Sequence, residues 1–281
     1  MKTRPHWSYS SINQYLRCPL QFFFQRVLGL PYRTTTSGLV LGSAVHVALA
    51  EYHQGLQRNE VVGANGLLKV FHDTWTERES TEEIIYRDGD SRDDSLAQGV
   101  NLIELYLKEP PPTGIVAVEQ EIIAPLINSR GEYLETPLVA VTDLLVTEED
   151  HLKVQEFKTS GRAYGESEVE SSLQPTCYVH AVNEVYGQQA KVEYTVLVKT
   201  RTPKVQRLTT SRYADDFGRL GDLVETIEKA VQLGIFYPVE SPMNCATCPY
   251  RQQCRDWGRR PEPAQDVLGT HRPEAMACSP N

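Results

Sequence analysis

The sequence predicts an α/β fold with a mixed central sheet, a helical N-terminal portion and a Cys-rich C-terminal segment. Three observations carry this expectation. Apolar residues recur at spacings of three and four as far as the run Pro110, Pro111 and Pro112. Three segments rich in Val, Ile and Leu follow, separated by the turn-like stretches NSRG and EEDH. Helical and strand patterns then alternate, giving the order β-β-β-α-β. The 281 residues suit one large domain as well as two smaller ones, against a loose prior of ~150 residues per domain. A single domain over residues 1–260 is expected, and the composition of 261–281 suggests a poorly ordered tail.

Ser10 or Ser11 is expected to N-cap a short helix ending at Arg17, because a serine hydroxyl accepts one of the unpaired N–H groups of a first turn. Pro19 suits the first turn of a second helix, where its fixed φ is already helical and its missing N–H is not needed. That helix carries Phe22, Phe23 and Phe24, which read as core. From Gly38 to Gly55, Leu41, Val45, Ala48, Leu49 and Tyr52 form an apolar stripe, and helices from Leu67 to Arg78 and from Leu96 to Lys108 follow. The mainly helical portion thus spans residues 1–112. Antiparallel strands are expected from Ile115 to Leu126, Pro137 to Thr147 and Leu152 to Phe157. A helix from about Glu168 to Tyr186, strands from Val192 to Lys199 and around Val205 to Thr210, and a helix from Tyr213 to Leu233 complete a core over 113–235. Residues 236–260 form the Cys-rich segment.

The 28 Lys+Arg against 37 Asp+Glu leave a net charge of −9. That argues against general coating of nucleic acid, since sequence-independent affinity comes from cations that displace counterions from phosphates. The distribution is uneven, however. The first 50 residues hold Lys2, Arg4, Arg17, Arg26 and Arg33 and no acid, and a second acid-free run holds Lys199, Arg201, Lys204, Arg207 and Arg212. Between Glu77 and Asp94, 8 acids meet 3 arginines, which suits a face turned away from any polyanion. On charge alone all three segments are equally well read as solvated surface. The N-terminus MKTRPHWSYS lacks the apolar stretch of a secretory signal, and Gly38 to Ala50, interrupted by Ser43 and His46, is too short to span a bilayer. With few, clustered cysteines, a reducing compartment follows, so a cytoplasmic protein without a membrane partner is expected.

Asp143 lies near the end of the second strand, and Glu156 and Lys158 lie near the end of the third, in VQEFKTS. A hairpin turning symmetrically about Glu149 and Asp150 sets Asp143 opposite Glu156. Directly paired residues share a face with Cβ atoms ~4.5–5.5 Å apart, and the period of two puts Lys158 beside Glu156. Facing carboxylates repel unless a cation sits between them or both reach water. A hard divalent cation such as Mg2+ or Mn2+ prefers carboxylate oxygens and would resolve the conflict. Such an ion lowers the pKa of bound water and neutralises phosphoryl oxygens, while Lys158 orients the water or stabilises developing charge. These parts suit metal-assisted phosphodiester hydrolysis. By spacing alone, an exposed ladder of mixed charge is the alternative.

Neighbouring segments add to this. LGSAVHVALAEY, VTDLLV with VQEFKTS, and LQPTCYVHAV occur in that order. With the strand order, they resemble the RecB-like branch of the PD-(D/E)xK nuclease superfamily, from about Ser8 to Cys254. The resemblance implies a restriction-endonuclease-like core. Gly42 and His46 match its G-x-x-x-H helix, making His46 a nitrogen ligand of the catalytic metal. Asp143, Glu156 and the backbone carbonyl of Phe157 would be further ligands, with Lys158 the catalytic lysine. Gln174 and Tyr178 match its Q-x-x-x-Y motif, one turn apart and facing the site and its DNA. Taken singly, His46 reads as a hydrogen-bonded core histidine and Gln174 with Tyr178 as a surface pair. Two positions depart from the family pattern without removing a ligand atom: Ala140 stands where glycine is usual, and Glu156 where aspartate is more usual. The implied activity is that of a metal-dependent deoxyribonuclease, an exonuclease on single-stranded DNA from a 5′ end. Recombination, repair, phage DNA processing and CRISPR adaptation are the implied settings, with protein partners from them. Arg17, Lys199, Arg201 and Lys204 would then track DNA phosphates. The alternatives are a catalytically silent DNA-binding or scaffold subunit and a structure-selective endonuclease.

Cys245, Cys248 and Cys254 form C-x2-C-x5-C, one ligand short of a closed four-coordinate site. Spacing leaves the fourth open among Cys18, Cys177, Cys278 and a histidine. In the iron–sulfur subset of the resembled family, which includes AddB-type subunits and CRISPR-associated RecB-like exonucleases, one cysteine precedes the nuclease core and three follow it. That resemblance makes Cys18, in YLRCPLQFFF, the remaining ligand of a structural 4Fe-4S cluster that ties the Cys18 region to residues 236–260. Zinc on the same four thiolates is the alternative. Cys177 reads as a small buried apolar residue and Cys278 as a free thiol.

Overall fold

The computed structural model of the chain describes residues 6–32, 34–87 and 89–257. Lys2, Arg4, Arg33, Cys278 and the expected tail lie outside the described residues. The chain divides into two units, Met1–Pro249 and Tyr250–Asn281.

In the first unit, α1 (Tyr9–Arg17) is capped by Ser8, not by Ser10 or Ser11. The Ser8 hydroxyl accepts the Ser11 N–H at 3.3 Å and the Ser11 hydroxyl accepts the Ser8 N–H at 2.9 Å, so two unpaired donors are satisfied reciprocally. The next helix, α2 (Pro19–Phe22), widens into a π turn over Phe23–Val27. Phe22, Phe23 and Phe24 are buried as expected, with Phe22 stacked on Trp7. Helices α3 (Ser37–Gln57), α4 (Ala64–Thr81) and α5 (Arg92–Tyr106) complete the helical portion. Between them β1 (Thr34–Thr36) pairs in parallel with β2 (Glu83–Ile85), a contact too short to leave a period in the sequence.

The main sheet has the order β3 (Ile115–Ala124), β4 (Leu138–Glu148), β5 (His151–Ser160), β6 (Ala190–Val198) and β7 (Lys204–Thr210). All neighbours are antiparallel except β5 and β6. The parallel connection runs through α6 (Glu166–Glu170) and α7 (Leu173–Tyr186), not through one helix from Glu168 to Tyr186. A proline ring clashes with the carbonyl four residues back in a continuous helix, so Pro175 is accepted only in the first turn of a new one. Ser172 caps that new helix. The unit ends with α8 (Ala214–Gln232) and the short α9 (Pro242–Cys245). The described part of the second unit holds α10 (Arg251–Trp257).

Successive side chains of β4 and β5 point to opposite faces, and both faces are covered, so buried residues run consecutively, as at Leu144, Leu145 and Val146. Leu145, Val154 and Val196 join α7 and α8 on one face; Leu144, Val146 and Phe157 join α3, α4 and α5 on the other. The result is a helix–sheet–helix arrangement. Fully burying each such side chain contributes roughly 1.5–3 kcal/mol relative to exposure.

The β4–β5 hairpin turns on Glu149 and Asp150, whose φ angles are 48° and 64°. A two-residue turn needs that left-handed pair to match the twist of its strands. The ladder keeps the expected register from Glu148–His151 to Leu144–Gln155 and ends there. Beyond that point β4 stays paired with β3 as far as Leu138, and β5 with β6 as far as Ser160. The two strands therefore part at Asp143 and Glu156, one pair short of the expected direct match. Instead of a ladder bond, the Asp143 carboxylate accepts the Phe157 N–H at 2.7 Å.

Candidate active site

Glu156 lies on the same face of β5 as Val154 and so faces α7. It is 3% exposed, and a carboxylate at that depth must have its oxygens engaged. Three donors engage them. Lys158 Nζ reaches Oε1 at 2.6 Å, Gln174 Nε2 reaches the same oxygen at 2.8 Å, and the Tyr178 hydroxyl donates to Oε2 at 2.8 Å. Gln174 and Tyr178 stand one turn apart on α7, and Gln174 Nε2 also donates to the Tyr178 oxygen at 2.7 Å. Gln174 Oε1 accepts from Lys158 Nζ at 2.9 Å. Both α7 residues are buried, so their polar ends are turned to Glu156 rather than to solvent. Tyr194 on β6, opposite Glu156 in the ladder, donates to Gln174 Oε1 at 3.3 Å and lies under the Lys158 ammonium.

On the other side of the fork, α3 and the strand ends enclose an open cavity of about 730 Å³ lined by Gly42, His46, Glu119, Asp143, Lys158 and Thr159, among others. His46 Nδ1 stands 3.5 Å from Asp143 Oδ2. Gly42 sits where α3 passes β5, and a Cβ there would come 3.2 Å from Thr159 Oγ1, closer than an ordinary contact. Glu119 was not anticipated. Its neighbours Val118 and Gln120 pair with Leu144 and Thr142, which sets it across from Asp143. It adopts a left-handed φ of 48° that a strand residue does not otherwise take. The long segment between β3 and β4 conceals this register in the sequence. The available clue was the polar stretch Glu119, Gln120 and Glu121 inside an otherwise apolar strand.

Charge repulsion is visible in the titration of these groups. Burial, then the Asp143 carboxylate, raises the pKa of Glu156. Glu119 is exposed as a residue, yet partial desolvation of its carboxyl, together with Asp143 and Glu156, raises it to about 7. Burial opposes the charged form of Lys158, but the Glu156 carboxylate outweighs it and the pKa rises. For His46, burial is likewise outweighed by the hydrogen bond and charge of Asp143, and the pKa rises. Asp143, Glu119 and an imidazole around one cavity, with Glu156 on the α7 side of the fork, are donor types that a hard divalent cation takes, and such an ion would relieve their repulsion. Among the described residues, no three His, Cys, Asp or Glu side chains are grouped closely enough to hold a metal ion as they stand.

The remaining expected site residues are dispersed. Lys199 stands at the cavity rim, its Nζ 3.8 Å from where a Cβ on Gly38 would be, and burial followed by Arg87 lowers its pKa. Arg201 lines a different groove with Asn101 and Glu104, and Lys204 is exposed at the start of β7. Arg17 is exposed at the end of α1. Two other members of the acid-free run do not face phosphates: Arg207 is paired with Glu109 at 2.7 Å, and Arg212 is buried. Cys18 separates α1 from α2, Cys245 ends α9, and the Cys248 N–H donates to the Cys245 carbonyl at 3.4 Å. Asn244 Nδ2 donates to the Arg17 carbonyl at 3.0 Å, bringing the neighbours of Cys245 and Cys18 together. Cys254 lies on α10 in the second unit. Cys177 is fully buried, and burial pushes its thiol up to about 12. No helix among the described residues is long and apolar enough to cross a membrane.

A mixed sheet that forks to present two carboxylates and a lysine beside an open cavity defines a site of nuclease type. The chain belongs to the PD-(D/E)XK nuclease superfamily, whose profile matches residues 6–255. Among solved structures, it is similar to one from Eubacterium rectale described as a "putative exonuclease". The two share 12% identity and a TM-score of 0.56, over 94% of this chain and 92% of that one. At that identity the likeness shows the fold. A second structure, SSO0001, shares 11% identity over 84% of this chain and 93% of that one, with a TM-score of 0.38. Comparison with curated proteins returned no match.

Proposed function

We propose that this nuclease is a metal-dependent exonuclease acting in the cytoplasm on single-stranded DNA with 5′→3′ polarity. The observation that carries the reading is the placement of Lys158. An ammonium has three protons. Glu156 and Gln174 take two, and Lys158 also lines the cavity, so the third is available to a phosphoryl oxygen there. His46, Asp143, Glu156 and the Phe157 carbonyl would hold Mg2+ or Mn2+, which when bound supplies a water of lowered pKa and neutralises phosphoryl charge. The chain itself fixes both Glu156 oxygens by hydrogen bonds and keeps Lys158 protonated at a fixed point. Lys199 at the rim is placed to meet a neighbouring phosphate, and Arg17, Arg201 and Lys204 complete the proposed DNA contacts. The exonuclease label on the Eubacterium rectale structure and the resemblance to RecB-like enzymes support end-directed cutting.

A 4Fe-4S cluster on Cys18, Cys245, Cys248 and Cys254 belongs to the same proposal, supported by the cysteine order and by the Asn244–Arg17 hydrogen bond. Zinc on those thiolates is its rival. Metal and sulfide analysis of anaerobically purified protein separates them, with iron and sulfide expected. The settings proposed are recombination, repair, phage DNA processing or CRISPR adaptation, with partners to match.

The test is nucleotide release from end-labelled single-stranded DNA by full-length protein with Mn2+, Mg2+ or chelator, beside Asp143→Ala. Metal-dependent release that Asp143→Ala abolishes is expected, and the label position reads polarity. Cutting of circular single strands would replace the exonuclease by an endonuclease. Full engagement of Glu156 by Lys158, Gln174 and Tyr178 favours the other reading, a silent DNA-binding subunit. DNA binding with no release under any metal would establish it.

A further inference from the structure

Arg212 follows β7 and is 6% exposed, yet among the described residues no carboxylate pairs with it. A buried guanidinium is tolerated only when its donors are satisfied. All three nitrogens are engaged, and by neutral oxygens. Nε donates to Thr176 Oγ1 at 3.0 Å, and Nη1 donates to Thr210 Oγ1 at 2.6 Å and to the Ser211 carbonyl at 2.8 Å. Nη2 donates to the carbonyls of Val169, Glu170 and Ser172 at 3.1, 2.7 and 3.0 Å. The first two are carbonyls at the end of α6, which a terminating helix leaves unpaired, and the third belongs to the cap of α7. Thr176 lies in the first turns of α7, between Gln174 and Tyr178. One side chain therefore ties the end of a sheet edge to both sides of the break between the two helices.

We propose that Arg212 is a positioning residue of the nuclease site, fixing the start of α7 so that Gln174 and Tyr178 hold Glu156 and Lys158 in place. The inference rests on the nuclease reading above. A second contact follows the same route: the Ser172 hydroxyl lies 3.3 Å from the Tyr194 hydroxyl, and Tyr194 donates to Gln174 Oε1. Lysine at position 212 supplies one nitrogen where the guanidinium supplies three, so it cannot span Thr176, Thr210 and the α6 carbonyls together. If the clamp loosens, Gln174 shifts and the lysine–carboxylate pair loses its shared partner. A misplacement of order 1 Å in a catalytic group costs about 100-fold in rate.

The experiment uses the full chain, with single-stranded oligonucleotide as substrate. Arg212→Lys is expected to lower kcat about 10- to 100-fold while KM stays within about twofold, at a temperature where the variant is fully folded by circular dichroism. In a Gln174→Ala background the same substitution is expected to cost nothing further, because it acts through Gln174. Unchanged kcat in folded Arg212→Lys, or losses that multiply in the double variant, would overturn the proposal. If Arg212→Lys does not fold, Thr176→Val removes only the Nε acceptor and is judged by the same two criteria. Hydrogen exchange over residues 173–178 is read in parallel and needs no turnover. Faster exchange there with α3 unchanged is expected, and unchanged exchange counts against the clamp. Wild-type protein that cuts nothing sinks the nuclease reading, while the exchange result still decides whether Arg212 fixes α7.

Discussion

The two sides of the forked hairpin are built differently. On the α7 side, both Glu156 oxygens are hydrogen-bonded at 2.6–2.8 Å by three residues, and the carboxylate is out of solvent. On the α3 side, Asp143 is partly exposed, His46 approaches it only to 3.5 Å, and Glu119 opens onto the cavity. The first side has its polar atoms partnered before any ligand arrives. The second keeps repelling charges in reserve for a cation and a phosphate. A site that must bind and release a charged chain needs both properties, since preorganised dipoles act without rearrangement while ligand positions must stay open.

This contrast yields predictions of decreasing size. Lys158→Met leaves Glu156 buried without its cation and is expected to lower stability by about 3–5 kcal/mol. Adding Glu156→Gln should restore most of that loss in urea unfolding, while neither variant cuts DNA. On the open side, Asp143→Asn keeps an acceptor for the Phe157 N–H, so melting should barely change while nucleotide release falls about 100- to 1,000-fold. A large drop in melting temperature there would erase the distinction between the sides.

His53 tests the layer beneath. It is fully buried on α3, stacks on Phe157 and shares a 2.9 Å hydrogen bond with Tyr106. Burial lowers its pKa to about 4 from the ordinary 6.5. The unfolded chain therefore binds the extra proton first. The stabilisation from neutral His53 is complete above pH 6.5 and is lost as pH falls towards 4, a change of roughly 2–3 kcal/mol. Urea unfolding across that range should show a steeper decline in the wild type than in His53→Gln. Tyr178→Phe removes one of three bonds to Glu156 and should cost about 1.5–3 kcal/mol at most. Glu119→Gln, by contrast, relieves repulsion and should leave the metal-free protein no less stable. Destabilisation by Glu119→Gln would mean that the open side is as closely packed as the other.

Much of the fold was legible because its signals are local. The Val- and Leu-rich run LVAVTDLLV, the turn at Glu149 and Asp150 and the stripe on α3 each arise within one element. The hairpin register followed from the turn alone, and with it the nearness of Asp143, Glu156 and Lys158. Other features depended on distant segments. The break between α6 and α7 was marked by Pro175, but the stretch still reads as one helix unless Arg212 is known to cap the first piece. The acid-free run around β7 looked uniformly available for phosphate. Pairing with a distant segment instead sent Arg207 to Glu109, and burial took Arg212, leaving Lys199 at the cavity rim.

By itself the sequence determined the order of elements, the hairpin that brings the acidic pair and lysine together, and the residue types of a phosphodiester-cleaving site. These rest on periods of 2 and 3.6 residues and on turn chemistry, which act over a few residues. Only the tertiary structure decided which charges are sealed and which stay open. It turned Gln174 and Tyr178 inward onto Glu156, set Glu119 across from Asp143 and placed an arginine under the start of α7. Those outcomes depend on burial and on contacts between segments far apart in the chain, where desolvation rather than local preference decides whether a polar group finds a partner.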